Sequence, residues 1–367
     1  MAAALLGYAA VRALGLVVLA VWSAARGTSP HTLLSARWDS LWYERVARLG
    51  YGFEVRLPNG DVHSNLAFFP LLPWLERSGR ALSPLSYADA GLLVSALASL
   101  AAAWGIFKVT DLVYGSRAGV CAVLLWGVLP VGIVQSMAYS ESLFTALAAW
   151  SLYAVLTGRW ITAGTLALLS GLTRPVGMAV AAAVWAAAVA SFARDGRGSG
   201  AALVHRVLGM VLAPLGAFGY VLWVGHRTGE GPLGYLDVQA GWRNGFDGGY
   251  AFARFVGAKF DAPLPALAGA GIVVGVALLL WLYAVCARQR QPLPLLVYAG
   301  VVVALALCAS SYFGSKPRLL MPAFPLLLPL ALSLARIRPR RSATILGGVA
   351  VASALYGAFW LNGSGPP

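Results

Sequence analysis

Acidic side chains are scarce in this sequence: 13 Asp and Glu among 367 residues, beside 27 Lys and Arg. Charged residues together make up 11%, where a soluble globular domain carries about 25%. That shortage excludes a fold with water on every side. Cysteine is nearly absent too. Cys121, Cys286 and Cys308 each lie alone in an apolar run, with neither metal-ligand spacing nor a partner, so packing is their expected role. No His-x-x-x-His pair or cysteine cluster appears, and Asp39 has no second aspartate beside it in a DxD spacing. Neither a metal nor a cofactor is therefore expected. Lysine is rare while arginine, alanine and glycine abound, a bias that points to a GC-rich bacterial genome. No soluble insert, low-complexity tail or clear internal repeat breaks the pattern, so a single membrane domain over 1–367 is expected.

What fills the chain instead is apolar. Hydrophobic residues reach 59%, and stretches of about 20 residues recur, each long enough to cross a hydrocarbon core as a helix. The composition predicts an all-α polytopic membrane protein. About eleven spans are expected, near 4–24, 87–107, 118–137, 141–157, 160–173, 175–193, 205–225, 266–287, 293–310, 319–335 and 343–361. A net charge of +14 suggests nucleic acid at first sight. The arginines, however, cluster in short connections between apolar runs, where they fix orientation and meet anionic headgroups. Membrane lipid, not nucleic acid, is the expected partner.

Three connections are basic: "RDGRGSGAALVHR" after residue 193, "ARQRQP" at 287–292 and "ARIRPRRS" at 335–342. Placing all three in the cytoplasm leaves even numbers of spans between them, with the N-terminus inside and the C-terminus outside. "KVTDLVYGSR" at 108–117 then falls inside as well. The outer face receives 26–86, "AYSES" at 138–142, 226–265 and "SYFGSKPR" at 311–318. This predicts a multi-pass protein of the cell membrane, a bacterial inner membrane by composition. Arg12 lies within the first apolar run instead of ahead of it, which favours an uncleaved span over a signal peptide. The run "LAFFPLLPWLE" at 66–76 holds two prolines in eleven residues and reads as a re-entrant or half-spanning element.

"RWDSLWYERVARLGY", residues 37–51, sets Asp39 just beyond the first span. Trp38, Leu41, Trp42, Val46 and Leu49 follow the i, i+3, i+4 spacing of an amphipathic helix, which Gly50 or Gly52 can end. Tryptophans on such a stripe suit a helix lying in the interface. Asp39 falls in its first turn, and two roles are open to it. It can cap the helix, or it can take a proton from a hydroxyl of a lipid-borne substrate. Glu44 and Arg48, four residues apart, are expected to pair.

The same stretch, followed by "NLAFFPLLPWLERSGRAL", resembles the signature region of PIG-V-type mannosyltransferases. These belong to the GT-C superfamily of polyprenyl-phosphate-sugar-dependent glycosyltransferases. The likeness continues in order through "GVLPVGIVQSMAYSESLFTALAAWSLYAV", "AGTLALLSGLTRPVGM" and "SKPRLLMPAFPLLLPLA". The resemblance implies a GT-C-like bundle with amphipathic juxtamembrane helices in a long first extracytoplasmic loop, and a catalytic aspartate at Asp39. It implies a polyprenyl-phosphate-sugar donor, such as one carrying mannose, and inverting transfer to a lipid-linked glycan acceptor at the outer face.

Such a site needs a base, cations for the departing phosphate and an apolar groove for the isoprenoid. Because phosphate leaves as an anion, electrostatic stabilisation matters more than a general acid. Asp39 is the candidate base. Arg318, Lys316, Arg174 and Arg37 are the outer-face cations for the phosphate, with snorkelling or headgroup contact as their alternative. Glu141 in "YSES" suits a helix cap; its other roles would be to orient the acceptor or hold Arg174. Trp38, Trp42, Tyr43, His63, Asn65, Gln239 and Trp242 are the candidate acceptor or sugar contacts, with Arg243 beside them. The rival class is a secondary transporter or lipid flippase, which would carry ionisable residues at the midplane. Here most acids lie in loops, and only Arg12 sits clearly inside a span.

Overall fold

The apolar runs form helices in the order the hydropathy predicts. The computed structural model describes residues 1–195, 200–363 and 365; residues 196–199, part of the basic connection after 193, lie outside the described residues. The chain starts with α1 (Ala2–Ala25), two short helices, α2 (Pro30–Ser35) and α3 (Asp39–Leu49), and a hairpin of β1 (Glu54–Arg56) and β2 (Val62–Ser64). α4 (Leu71–Leu82), α5 (Tyr87–Tyr114), α6 (Ser116–Gly127) and α7 (Glu141–Leu156) follow, then α8 (Trp160–Gly171), α9 (Met178–Asp195) and α10 (Ala201–Thr228). Next come α11 (Gly234–Gly241), β3 (Gly245–Phe246), α12 (Tyr250–Gly257) and α13 (Pro263–Arg288). α14 (Leu293–Cys308), β4 (Ala309–Ser310), α15 (Lys316–Leu320), α16 (Leu328–Arg336) and α17 (Pro339–Leu361) complete the order.

Six of these are each long and apolar enough to cross a membrane: α1, α5, α9 with the turn before it, α10, α13 and α17. The other expected spans are the shorter apolar helices α6, α7, α8 and α14, and a pair bent by 73° between Phe313–Leu320 and Phe324–Arg336. A helix of 12 residues, such as α6 or α8, reaches only ~18 Å, against a hydrocarbon core of ~30 Å. The rest of the path must therefore be irregular backbone, which survives at membrane depth only where its polar groups are satisfied internally.

Arg12 does much of that work. Its guanidinium donates to the carbonyls of Gly127 and Gly132, which flank the end of α6. Tyr8 Oη donates to Gln135 Oε1 at 2.8 Å, and Gln135 Nε2 donates to the Trp126 carbonyl at 2.8 Å. Ser353 Oγ of α17 donates to the Leu129 carbonyl at 2.7 Å. The ionisable group inside the first span is thus engaged by backbone. Around it Tyr8 stacks on Trp126 with centroids 5.5 Å apart, within the main buried core.

Close packing elsewhere depends on small residues. α8 and α10 cross so tightly that a methyl at Gly164 would meet Gly209, and one at Gly216 would collide with the Leu168 carbonyl. By contrast α13 buries only Gly269 and Cys286 and turns Leu264, Leu267, Leu278, Leu280 and Trp281 outward. Cys121, Cys286 and Cys308 are all free thiols, the first two buried, as expected of packing residues.

In the first long loop one expectation changes. Over the run at 66–76, a 3-10 turn at Asn65–Ala67 leads into a helix that begins at Leu71 and continues to Leu82. This α4 is amphipathic, with Leu72, Pro73 and Glu76 buried and Trp74 and Leu82 exposed. Pro73 is tolerated because the first turn lacks intrahelical acceptors for its missing N–H. The helix at 39–49 forms as expected, but it buries Ser40, Tyr43, Val46 and Ala47 and leaves Leu41 and Leu49 exposed. The Tyr43 hydroxyl, bonded to Ser140 Oγ at 2.8 Å, ties the buried face to the start of α7. Glu44 and Arg48 do not form the expected ion pair; the described ion pairs join other residues.

Glu76 is fully buried where α4 packs on α5, its Oε2 without a hydrogen-bond partner and its Oε1 close to the Cα of Gly91. Burial, and then the neighbouring Glu44, push its carboxyl well above the ordinary value of 4.5. Between that ordinary value and the raised one, the native chain holds a proton that the unfolded chain has lost. Stability therefore falls as pH rises through that window. Glu76→Gln is expected to flatten this decline and raise the melting temperature on its alkaline side. Parallel pH profiles for wild type and variant would overturn the assignment.

Candidate active site

Asp39 stands at the end of a strained step. Trp38, just before it, has φ 52° and ψ −122°, a region that a bulky L-residue enters only when its surroundings force it. The surroundings are visible. The Arg37 guanidinium lies 4.1 Å from the Trp38 ring and donates from Nη1 to the Leu361 carbonyl at 3.0 Å. Ser40 Oγ donates to the Arg37 carbonyl at 2.7 Å and accepts from the Arg37 N–H at 3.0 Å. The bend at Arg37 and the first turn of α3 are thereby locked together.

The Asp39 carboxylate makes no capping hydrogen bond. Its Oδ2 accepts from Arg318 Nη1 at 2.6 Å, while its backbone N–H donates to the Tyr139 hydroxyl at 3.3 Å. Arg318 comes from α15, ahead of the 73° bend that leads into Phe324–Arg336. Its guanidinium lies 5.1 Å from the Tyr139 ring centroid, and its Nε is 3.3 Å from Glu141 Oε1. That same oxygen is 2.6 Å from Arg174 Nη1. Four charged groups from four distant parts of the sequence therefore converge.

Exposure grades across the cluster. The side chain of Glu141 is 2% exposed, Arg318 9%, Arg174 13% and Asp39 28%. Asp39 faces the open side. The contacts to Glu141 are close in distance but poorly directed, and both Glu141 Oε1 and Arg318 Nε are left without a directional hydrogen bond. Burial pushes the hydroxyls of Tyr43 and Tyr139 to higher pKa, and the charge of Asp39 adds to the shift, so both stay protonated. Among the described residues no three His, Cys, Asp or Glu side chains converge as a metal site would need. Between Asp39 and Glu141 stands the Arg318 guanidinium.

The remaining candidates divide clearly. Arg37 is committed to the last turn of α17. Lys316 is buried and donates to the carbonyls of Ala306 at 2.5 Å and Ala309 at 2.9 Å, under the rings of Phe252 and Phe313. Both cations serve unpaired helix-end carbonyls and are not at the cluster, which leaves Arg318 and Arg174 for an anion. Tyr43 is buried against Ser140 and Phe68, a strut and not a free contact.

Asn65 is also internal. Its Oδ1 accepts from the N–H groups of Gly52 and Phe53 at 3.0 and 3.2 Å, and its Nδ2 donates to the Gly50 carbonyl at 3.1 Å. Trp42, Phe68, His63 and Trp242 do come together: His63 stacks on Trp242 at 4.0 Å, and Trp42 stacks on Phe68 at 5.6 Å and meets Trp242 edge-on at 4.9 Å. Trp242 Nε1 donates to the Ser64 carbonyl at 3.0 Å, so the group clasps the α11 region onto the hairpin. Burial lowers the pKa of His63. Gln239 is bonded to Tyr235 and Asn244, and Arg243 pairs with Asp61 at 2.6 Å. Tyr139 was missed in the sequence. Its place beside Glu141 in "YSES" was the available signal.

No family model matches the chain, and no curated protein does so. Similarity appears in three dimensions. ArnT from Cupriavidus metallidurans, bound to undecaprenyl phosphate, aligns with a TM-score of 0.55 at 18% identity over 94% of this chain. The fold is GT-C-like. Apo ArnT gives 0.52 at 16% identity over 87% of this chain and 68% of its own. The archaeal oligosaccharyltransferase AglB from Archaeoglobus fulgidus, in complex with an inhibitory peptide and a dolichol-phosphate, gives 0.50 at 12% identity over 98% of this chain. The chain spans 63% of the length of the undecaprenyl-phosphate-bound ArnT and 56% of that AglB.

Asn65 provides a clean separation of structure from chemistry. Replacing it with Ala removes three buried hydrogen bonds, and a loss of about 2–4 kcal/mol in stability is expected. Thermal unfolding of the two proteins measures it. A variant as stable as wild type would return Asn65 to the list of substrate contacts.

Proposed function

We propose that this protein is an inverting glycosyltransferase. It moves a sugar, mannose by the sequence resemblance, from a polyprenyl-phosphate donor to a hydroxyl of a lipid-linked acceptor at the extracytoplasmic face of the cell membrane. The observation that carries the reading is the pairing of Asp39 with Arg318 at 2.6 Å, a base and a phosphate-binding cation side by side on an open edge. Undecaprenyl phosphate in ArnT and dolichol-phosphate in AglB belong to the chemical class of the leaving group this reading requires.

The reaction follows from the groups present. Asp39 Oδ2 is held by Arg318, and Oδ1 is free to accept the acceptor's hydroxyl proton. The acceptor oxygen attacks the anomeric carbon from the face opposite the phosphate. The bond from that carbon to the phosphate oxygen breaks, and its electron pair leaves with the polyprenyl phosphate. Arg318 and Arg174 stabilise the charge that develops there. A β-linked donor gives an α-glycoside.

Two contacts support the topology. Tyr114 Oη donates to Gln289 Oε1 at 3.1 Å, and Arg117 donates to the Ile337 carbonyl. They gather the 108–117, 287–292 and 335–342 connections at one end, as a shared cytoplasmic side requires. Asp89, at the opposite end of α5, meets His31 of α2 at 2.7 Å, close in sequence to Asp39. The transporter alternative has less support, because Arg12 is taken up by backbone carbonyls.

The decisive assay is sugar transfer in liposomes from radiolabelled polyprenyl-phosphate-mannose to a lipid extract of the source organism. Asp39→Asn is expected to lower transfer by roughly 10²-fold or more, with wild-type transfer surviving a chelator. Equal transfer by both proteins would remove Asp39 as the base. No transfer from any polyprenyl-phosphate sugar by folded protein would overturn the reading.

A further inference from the structure

Arg174 and Arg318 lean on a single oxygen. Glu141 Oε1 is 2.6 Å from Arg174 Nη1 and 3.3 Å from Arg318 Nε, and no directional hydrogen bond holds it. The hydroxyls around it are engaged elsewhere. Thr145 Oγ1 donates to the Glu141 carbonyl at 2.8 Å, and Ser142 Oγ donates to the Gln135 carbonyl at 3.2 Å. Capping does not account for the carboxylate either, since α7 has no side-chain cap. What the buried carboxylate has left to do is electrostatic: it is the counter-ion of two guanidiniums that would otherwise repel each other across a dry site.

With Asp39, the cluster holds two negative and two positive charges. A phosphodiester donor adds one negative charge. The phosphomonoester that leaves carries about −1.5 to −2 at neutral pH. Bare paired arginines would hold that product hardest of all. A carboxylate already seated between them competes with it. We propose that Glu141 is a positioning residue and resident counter-anion, which fixes Arg174 and Arg318 for the lipid phosphate and weakens the site's hold on the polyprenyl phosphate product, so that the product leaves. This rests on the site binding a lipid phosphate, as argued above.

The sign of one measurement tests it. Glu141→Gln keeps the side-chain shape and removes one of the two negative charges beside the buried guanidiniums. Arg318 keeps only Asp39 and Arg174 keeps no carboxylate, so polyprenyl phosphate takes up the unbalanced positive charge. In nanodiscs of the full chain, the variant is expected to bind a short-chain polyprenyl phosphate ~10-fold tighter than wild type, with slower dissociation. Its kcat and donor KM should fall together, and product inhibition should deepen. Glu141→Asp retains the charge and is expected to bind within ~3-fold of wild type. A residue with only a packing role would loosen binding when replaced, so equal or weaker binding by Glu141→Gln overturns the proposal. Should that variant not fold, Asp39→Asn removes the other counter-charge from the exposed edge and is expected to tighten binding as well. Unchanged or weaker binding there has the same negative meaning. If wild type binds no polyprenyl phosphate, both this inference and the lipid-phosphate reading fail; if wild type binds and the variants do not tighten, only this inference does.

Discussion

Arg318 joins segments that the chain order keeps far apart. It touches Asp39 at the start of α3, Glu141 at the start of α7 and the ring of Tyr139 between α6 and α7. Glu141 then extends the link to Arg174 before α9. A guanidinium with a side chain only 9% exposed is costly to desolvate, and removing one partner from such a group is worse than never burying it. The arrangement is therefore cooperative: each helix start is held in place by charges belonging to the others. Strain at Trp38 persists for the same reason, since Arg37, Ser40 and Arg318 together over-determine the turn that carries Asp39.

The membrane constrains the rest of the fold through its lack of water. Short helices and bends bring the site's four residues to one end of the bundle, and every break exposes carbonyls that lipid cannot satisfy. The chain answers with side chains of its own. Arg12 closes the end of α6, Lys316 closes the end of α14, and Arg37 closes the end of α17. Cations that look like phosphate ligands in the sequence are thus divided between two jobs. Those facing helix ends stabilise the scaffold, and those facing carboxylates, Arg318 and Arg174, are the ones proposed to meet a ligand anion.

That division explains what could be read in advance. Hydropathy located all eleven apolar segments because span length is a property of the local sequence. The periodicity of residues 39–49 gave the right helix for the same reason. Which of its faces packs on the bundle is set by Tyr43, bound by Ser140 ninety-seven positions away, and no local pattern contains that information. The apolar residues of the 66–76 run pack with Trp42, Tyr43, Tyr220 and Tyr235, partners that no local pattern names, while Glu76 inside it is buried with Oε2 unpaired. Asp39, Glu141, Arg174 and Arg318 could be named as types of group suited to the chemistry. Their pairing, with Arg318 between two carboxylates, depends on tertiary contacts. Asn65 and Trp242 looked like sugar contacts because amide and indole groups bind sugars, yet they also satisfy backbone carbonyls and N–H groups equally well.

The balance of the cluster bears on how such a site works. Burying two arginines makes a strong anion trap, and a strong trap is a poor catalyst when the anion is also the product. Placing a carboxylate against each guanidinium weakens the trap without removing the donors that a developing phosphate charge requires. The two carboxylates are not equivalent. Glu141, at 2% exposure, is sealed beneath the arginines and stays as a fixed charge. Asp39, at 28%, is the more open of the two, and in the proposed reaction its second oxygen takes the acceptor's proton. On that proposal one pair of acids separates charge balance from base chemistry, and the difference between them follows from depth in the protein.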